Sequence, residues 1–272
     1  MGTTAGEAAH VVTEVGDGIG WITLNRPDAL NTLSREMKDL LFEATAAFEH
    51  DPAVRCVVIR GNGRHFMAGG NIKEFHEALR SGDRAAYFRG FEARVVGAHQ
   101  VIYHLRRMAK PVLASVHGAV AGFGLSLLMA ADLAIASDDA LFTLAYRHIG
   151  LSADGGASYF LPRIVGERRA LEIALLGERF DAQAAREAGL LNWVVPRDEL
   201  ADATLRMARR LADGPTLALG RAKQLIRSSL DNSWDEQSHR EAETIAEMVR
   251  TEDHQEGLAA FLEKRPPRFQ GR

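Results

Sequence analysis

Cysteine is nearly absent from this 272-residue chain, in which Cys56 stands alone. A single thiol excludes an internal disulfide framework, so the core must hold the fold, and the chain suits a reducing, cytoplasmic setting. A charge excess of either sign is lacking too. With 33 basic and 36 acidic residues the formal net charge is -3, too little field to point to nucleic acid or an anionic membrane. The N-terminus "MGTTAGEAAHVV" has neither a basic flank nor an apolar core, so it does not read as a secretory signal. "MGTTAG" matches a myristoylation start only loosely. Pro111 to Ala131 contains no Asp, Glu, Lys or Arg and is long enough to span a bilayer. Pro111, His117 and three glycines interrupt it, however, and it divides into a strand and a short buried helix, so no membrane span is expected. The histidines show no H-E-x-x-H or similar ligand spacing, and no metal site is expected.

What is present is an ordinary globular composition, 46% hydrophobic and 25% charged, enough for one large domain or one domain with an appendage. Residues 10–24 read as a hairpin around Gly-Asp-Gly. Ser34 is a plausible N-cap for a helix with Met37, Leu40, Leu41, Ala44 and Phe48 on one face. "VRCVVIRG" (54–61) reads as a buried strand, "NGRHFMAGGN" as a loop, and a helix is expected from Ile72. A long amphipathic segment, 84–107, precedes the strand "PVLASVHG", a glycine-rich helix start, and the strand "DLAIAS". A further helix begins near 155, "DAQAAREAGLLNWVV" reads as helix, Gly189 stop and strand, and after 198 the pattern is helical throughout. Strand–helix alternation followed by helices argues an α/β fold with a C-terminal helical region.

The stretch "HGAVAGFGLSLLMAAD", His117 to Asp132, holds three glycines, an apolar run and a single acid at its end. Leu127 stands where the third glycine of G-x-G-x-x-G would fall, and no Gly-Lys-Ser/Thr follows, so a nucleotide site is not indicated. Leu128 breaks G-x-S-x-G around Ser126. "FMAGGN" and "GAVAGFG" share a plan: small residues after a strand and before a helix. Helix N-termini leave unpaired N–H groups at the positive end of the dipole. Two of them aimed at one point would form an oxyanion hole. On the residues alone, a pair of tight strand–helix turns is the plainer reading.

Five segments, "ITLNRPDALNTL", "VRCVVIRGNGRHFMAGGNIKEF", "AKPVLASVHGAVAGFGLSLLMAADLAIAS", "GERFDAQAAREAGLLNWVV" and "EGLAAFLEKRPPRF", change that balance. In order and spacing the chain resembles the crotonase (enoyl-CoA hydratase/isomerase) superfamily over nearly its whole length. The resemblance implies a crotonase-like ββα spiral core with an acyl-CoA site over residues 1–200. It also implies a C-terminal helical oligomerisation region over 201–272, with a homotrimer or dimer of trimers. Gly70 and Phe123 fall at the two oxyanion N–H donors. Coenzyme A is implied as the handle of the thioester substrate, with no tightly bound cofactor. Arg26 and Ala29 match the loop along its pantetheine and phosphates, although Asp28 stands where many members carry lysine. Ala68 and the backbone from Gly70 through Asn71 to Ile72 match the adenine segment, and Lys264 matches a C-terminal lysine that often reaches coenzyme A from a neighbouring subunit.

The departures from the family pattern carry more information. Hydratases of the family use two glutamates, and Ser126 and Tyr146 occupy those positions here. Serine and tyrosine are poor at activating water, so ordinary hydration is disfavoured. Asp154 sits where some isomerases and the halobenzoyl-CoA dehalogenases carry their aspartate, while an acid ahead of Gly-Gly at a helix start is also an ordinary N-cap. The leading expectation is an enoyl-CoA isomerase with Asp154 as acid and base and with Ser126 and Tyr146 shaping the pocket. The alternatives are a 2-enoyl-CoA hydratase, an aryl-CoA dehalogenase-like enzyme with Asp154 as nucleophile, and an acyl-CoA-binding protein without chemistry. His99, Tyr103 and His104 lie on the long helix. His104 or Tyr103 could reach the acyl pocket, with packing or surface roles the simpler expectation.

Overall fold

A computed structural model describes residues 8–80, 82 and 84–272; the myristoylation-like start, Met1 to Gly6, lies outside the described residues. Asp17 and Gly18 take positive φ (52° and 74°), the geometry of a tight hairpin turn whose twist suits the flanking strands. The turn joins β1 (Val11–Gly16) to β2 (Ile19–Leu24) in antiparallel register, Val11 opposite Leu24. Ser34 accepts the Met37 N–H at 3.1 Å and caps α1 (Arg35–His50), which buries Met37, Leu41, Ala44 and Phe48. Leu40, expected on the same stripe, is only half-buried.

The chain then repeats one unit three times: a strand of a large sheet, a short strand of a small sheet, and helix. β3 (Cys56–Gly61) leads to β4 (Met67–Ala68), α2 (Ile72–Arg80) and α3 (Arg84–Arg107). β5 (Val112–Val116) leads to β6 (Ala119–Ala121) and α4 (Phe123–Ala130). β7 (Leu133–Ser137) leads to β8 (Leu141–Thr143), a 3-10 turn (Tyr146–Ile149), α5 (Ala157–Val165) and α6 (Glu167–Leu176). β9 (Phe180–Asp181), α7 (Ala182–Glu187) and β10 (Trp193–Val195) follow. The chain ends in α8 (Leu200–Ala212), α9 (Thr216–Ser228), α10 (Trp234–Met248) and α11 (Glu252–Glu263).

The large sheet has the order β1-β2-β3-β5-β7-β10, parallel from β2 onward; the small one has the order β4-β6-β8-β9, with only β9 antiparallel. The small sheet was not expected from the sequence. Its strands are two or three residues long, too short for alternation to show, and "GAVAG" holds a strand where only a helix start was read. All eight residues of α4 are buried, the usual fate of a helix that is apolar on every face. The uncharged stretch 111–131 is thereby divided among β5, β6 and α4. No helix among the described residues is long and apolar enough to cross a membrane.

On the other face of the large sheet, Leu200, Ala203, Ala208 and Ala212 of α8 cover Ile19, Cys56, Val58, Leu113 and Ile135. Burial pushes the Cys56 thiol up to about 12, so it stays unreactive. Asp132, the acid that closes the glycine stretch, anchors a buried ion cluster. Its carboxylate takes the Val112 N–H at 2.8 Å, Lys223 Nζ at 2.9 Å and Arg227 Nη2 at 2.5 Å. Lys223 also donates to the Leu105 and Lys110 carbonyls, both at 2.9 Å. Burial outweighs the attraction of Asp132 and lowers Lys223 to about 8, which fits a cation held far from solvent.

Candidate active site

Register in the small sheet sets the site. β4 and β6 pair in parallel, Met67 opposite Val120 and Ala68 opposite Ala121. The next residues of the two strands run on side by side, Gly69 against Gly122, ahead of Gly70 and Phe123. The backbones touch there: a Cβ on Gly122 would lie 3.4 Å from the Gly69 Cα. Behind them the approach is closer, since a Cβ on Gly124 would lie 2.5 Å from the Met67 carbonyl oxygen. Only glycine lets α4 begin here. Gly122 is the N-cap residue and offers no side-chain acceptor, so the first N–H groups of α4 are left over. The N–H groups of Phe123 and Gly70 meet no acceptor among the described residues. A pair of free N–H groups beyond the ends of two adjacent strands, one at the positive end of a helix, can hold an oxygen that carries negative charge.

Asp154 lies in the turn that enters α5, beside α4. Its Oδ1 accepts the Tyr146 hydroxyl at 2.5 Å, and its Oδ2 has no partner among the described residues. Burial, with the nearby Asp154 charge and the hydrogen bond to it, lifts the Tyr146 phenol well above its ordinary value, so Tyr146 remains a donor at neutral pH. Asp154 does not cap α5; Gly156 holds that position and no side chain satisfies the helix start. The N-cap alternative is therefore corrected, and the reason lies in the two glycines. With φ of 61° and 80°, Gly155 and Gly156 carry the chain through an extra left-handed bend that sets the Asp154 side chain one turn short of the helix. Ser126, fully buried, donates to the Asp154 carbonyl oxygen at 2.9 Å. The turn rests directly on α4, because a Cβ on Gly155 would lie 2.6 Å from Ser126 Cβ and 3.0 Å from the Phe123 ring.

Tyr146 is braced from behind. Ala145 takes φ 57°, uncommon for a residue with a side chain. Arg147 donates to the Leu175 carbonyl at 2.6 Å, and His148 meets the Gly177 carbonyl at 2.9 Å. A cation at the C-terminus of α6 is favoured by the helix dipole. These contacts fix the 3-10 turn that carries the phenol.

Beside the two loops runs the segment 26–33. The Ala68 N–H donates to the Leu30 carbonyl at 3.0 Å and the Leu33 N–H to the Gly69 carbonyl at 2.8 Å. Arg26 spends its guanidinium on the Thr32 carbonyl at 2.8 Å, bracing its own loop, and Ala29 ends a short 3-10 turn there. Asn71 donates to Glu74 at 2.7 Å, and Ile72 is exposed at the start of α2. Lys264 stands apart from this group: it is exposed at the C-cap of α11, and its side chain bonds to none of the described residues. The sequence reading passed over Asn31. Fully buried, it accepts the Arg26 N–H at 2.7 Å and donates to the carbonyls of Asn62 and His65 at 2.9 and 2.8 Å. An asparagine in a turn-rich loop was the available signal.

The remaining histidines separate cleanly. His104 pairs with Glu49 at 2.7 Å and Tyr103 lies exposed under Arg107, so both serve the surface between α1 and α3 and neither joins Asp154. His99 is different, and its Nε2 meets the Gly155 N–H at 3.0 Å. His117 is buried and meets the Gly63 carbonyl at 3.0 Å. Burial, then the charge of Arg197, lowers it to about 4. A base depressed in the folded state binds its proton more tightly when unfolded, so its contribution is complete above about 6.5 and is lost as pH falls toward 4. The expected cost over that window is about 3 kcal/mol. Urea unfolding at pH 7 and pH 5 should show a decline that His117→Gln largely removes; equal declines in both proteins would refute it.

The fold is a mixed α/β one, with parallel strands in both sheets and helices at the C-terminus. The family model for enoyl-CoA hydratase/isomerase matches residues 14–272, and the chain belongs to that family, the crotonase superfamily, whose members act on acyl-CoA thioesters. It is 35% identical to the 1,2-epoxyphenylacetyl-CoA isomerase of Escherichia coli (strain K12) over 96% of this chain and 98% of that protein. It is 32% identical to the mitochondrial enoyl-CoA hydratase of Pongo abelii over 92% of this chain and 83% of that one. The solved structure of a Mycobacterium abscessus protein of the enoyl-CoA hydratase/isomerase type superposes with a TM-score of 0.91 at 37% identity, over 96% of this chain and 100% of that one. The expected family and α/β spiral with C-terminal helices are borne out. Isomerase and hydratase relatives lie at similar distances, so a choice between them rests on the site.

Proposed function

We propose that the protein is an enoyl-CoA isomerase that moves a double bond through an enolate, with Asp154 as both acid and base. The observation that carries this reading is the state of Asp154: one carboxylate oxygen is fixed by Tyr146, the other has no partner among the described residues, and no helix N–H uses the group. The thioester carbonyl accepts the N–H groups of Gly70 and Phe123, each worth about 3–4 kcal/mol to an oxyanion in comparable sites. Asp154 takes a proton from the α-carbon of a 3-enoyl thioester, the enolate extends over the double bond, and the carboxylic acid returns the proton at the γ-carbon. The proton is conserved, so one base suffices. Tyr146 keeps its own proton and leaves Oδ2 to make the transfer.

Coenzyme A enters as part of the substrate, with Arg26, Ala29, Ala68, Asn71 and Ile72 along its groove and Lys264 supplied by a neighbouring subunit. The chain assembles as a homotrimer or a dimer of trimers. Ile226, Trp234, Phe261 and Leu262 of the C-terminal helices are exposed in the single chain, an apolar surface of the kind that partners cover, and light scattering of the purified protein reads the state directly. The deciding experiment assays 3-enoyl-, 2-enoyl- and aryl-CoA thioesters side by side. Conversion of the 3-enoyl to the 2-enoyl thioester without net hydration supports the isomerase. Efficient hydration of the 2-enoyl thioester, or substitution on the aryl ring, would overturn it.

Hydration is also disfavoured by space. Ser126 is fully buried under the Gly155 turn, so restoring a glutamate there adds three heavy atoms and a charge to a filled site. Ser126→Glu should therefore lower stability by about 1–3 kcal/mol through overpacking alone, and it should slow isomerisation without creating a hydratase. Thermal melts with a hydration assay check this; a stable variant that adds water would count against it.

A further inference from the structure

We infer that His99 is a positioning residue for Asp154, acting through the peptide bond that follows it; this rests on the reading of Asp154 as the base. The carbonyl of Asp154 and the N–H of Gly155 belong to one planar peptide unit and point in opposite directions. Both ends are held. Ser126 of α4 donates to the carbonyl at 2.9 Å, and His99 of α3 accepts the N–H at 3.0 Å. Two helices thus grip the same peptide plane from opposite sides, which fixes ψ at Asp154 and with it the direction of its side chain.

The turn supplies one bond of its own, from the Ala157 N–H to the Asp154 carbonyl at 3.1 Å, so the N–H end of the peptide depends on His99. Gly155 and Gly156 both lie at positive φ, and glycine restricts the backbone less than any other residue. The carboxylate has one further tether, the Tyr146 hydroxyl on Oδ1, which leaves it free to pivot about that bond unless the backbone is held. His99 accepts at Nε2, so its ring is neutral with the proton on Nδ1. It reaches the reacting atoms only through Asp154.

Misplacing a catalytic group by about 1 Å can cost about 100-fold in rate. His99→Ala should therefore lower kcat on a 3-enoyl-CoA by about 10- to 100-fold with KM within about threefold. His99→Gln, whose amide oxygen can take the same N–H, should recover most of the rate. Should the alanine variant fold poorly, His99→Leu fills the space without an acceptor and is read in its place. The double variant with Asp154→Asn should be no slower than Asp154→Asn alone, because a residue acting through Asp154 has nothing left to position. Equal rates for His99→Gln and His99→Leu, or an additive loss in the double variant, would overturn the inference. If Asp154→Asn keeps full activity, the base assignment itself fails; if it is inactive while His99→Ala matches the wild type, only the role of His99 fails.

Discussion

Asp154→Asn is expected to lower kcat for 3-enoyl-CoA isomerisation by about 10²–10⁴-fold, the usual worth of a positioned general acid–base. The substitution is unusually clean here. The amide oxygen of asparagine can still accept the Tyr146 hydroxyl, and the backbone carbonyl at 154 keeps its bond from Ser126. What is lost is the free oxygen that takes the proton. KM should stay within about threefold, since coenzyme A and the carbonyl oxygen are gripped elsewhere. The thermal midpoint should also stay put. Asparagine caps a helix about as well as aspartate, and this carboxylate satisfies no helix N–H in any case, so the melt serves to show that a loss of rate is not a loss of fold. Retention of more than about a tenth of the rate would require another base.

Asp132→Ala is expected to be the most damaging single change to stability, by about 3–5 kcal/mol. Among the described residues its carboxylate is the only anion bonded to Lys223 and Arg227, two largely buried cations on α9. Without it they face only carbonyl oxygens: Leu105 and Lys110 for Lys223, and Arg106 and Ala130 for Arg227. Backbone dipoles do not replace a full negative charge at low dielectric. For a chain of this length the loss corresponds to a fall of roughly 5–10 °C in melting temperature. The triple change Asp132→Ala, Lys223→Met, Arg227→Met removes all three charges and should recover much of the difference, as apolar replacement of buried ion pairs often does. A triple variant weaker than Asp132→Ala would show that the cations stabilise the fold through their carbonyl contacts instead.

The larger elements were legible because their signals are local. The hairpin around Asp17 and the Ser34 cap need only a few neighbouring residues to specify them, and the structure shows both. The small sheet was not legible, since its rungs join very short strands far apart in the chain, such as Ala119 with Leu141 and Ala68 with Ala121. For the same reason the residues could only suggest two tight turns until resemblance to a family set them side by side. Gly70, Phe123, Ser126, Tyr146 and Asp154 were each named from the sequence, and the last four lie around one turn, with Ser126 and Tyr146 bonded to Asp154 and the Phe123 ring against Gly155. The contacts that hold them were hidden. His99 reads as one more polar residue on a long helix, and Asn31 as one more loop asparagine; only the fold shows that each bonds a distant backbone group.

The β4–β6 register has a consequence for how this site can diverge. The two N–H groups belong to the main chain, one just past β4 and one on the first residue of α4, so their placement is anchored by the β4–β6 pairing behind them. No side-chain substitution at 70 or 123, proline apart, removes a donor. Everything that selects a reaction, from Ser126 to the aspartate turn, lies outside that ladder and is open to change. The scaffold thus divides heritable labour: a main-chain part that point mutation barely touches, and a side-chain part in which a new reaction can be tried without losing the first.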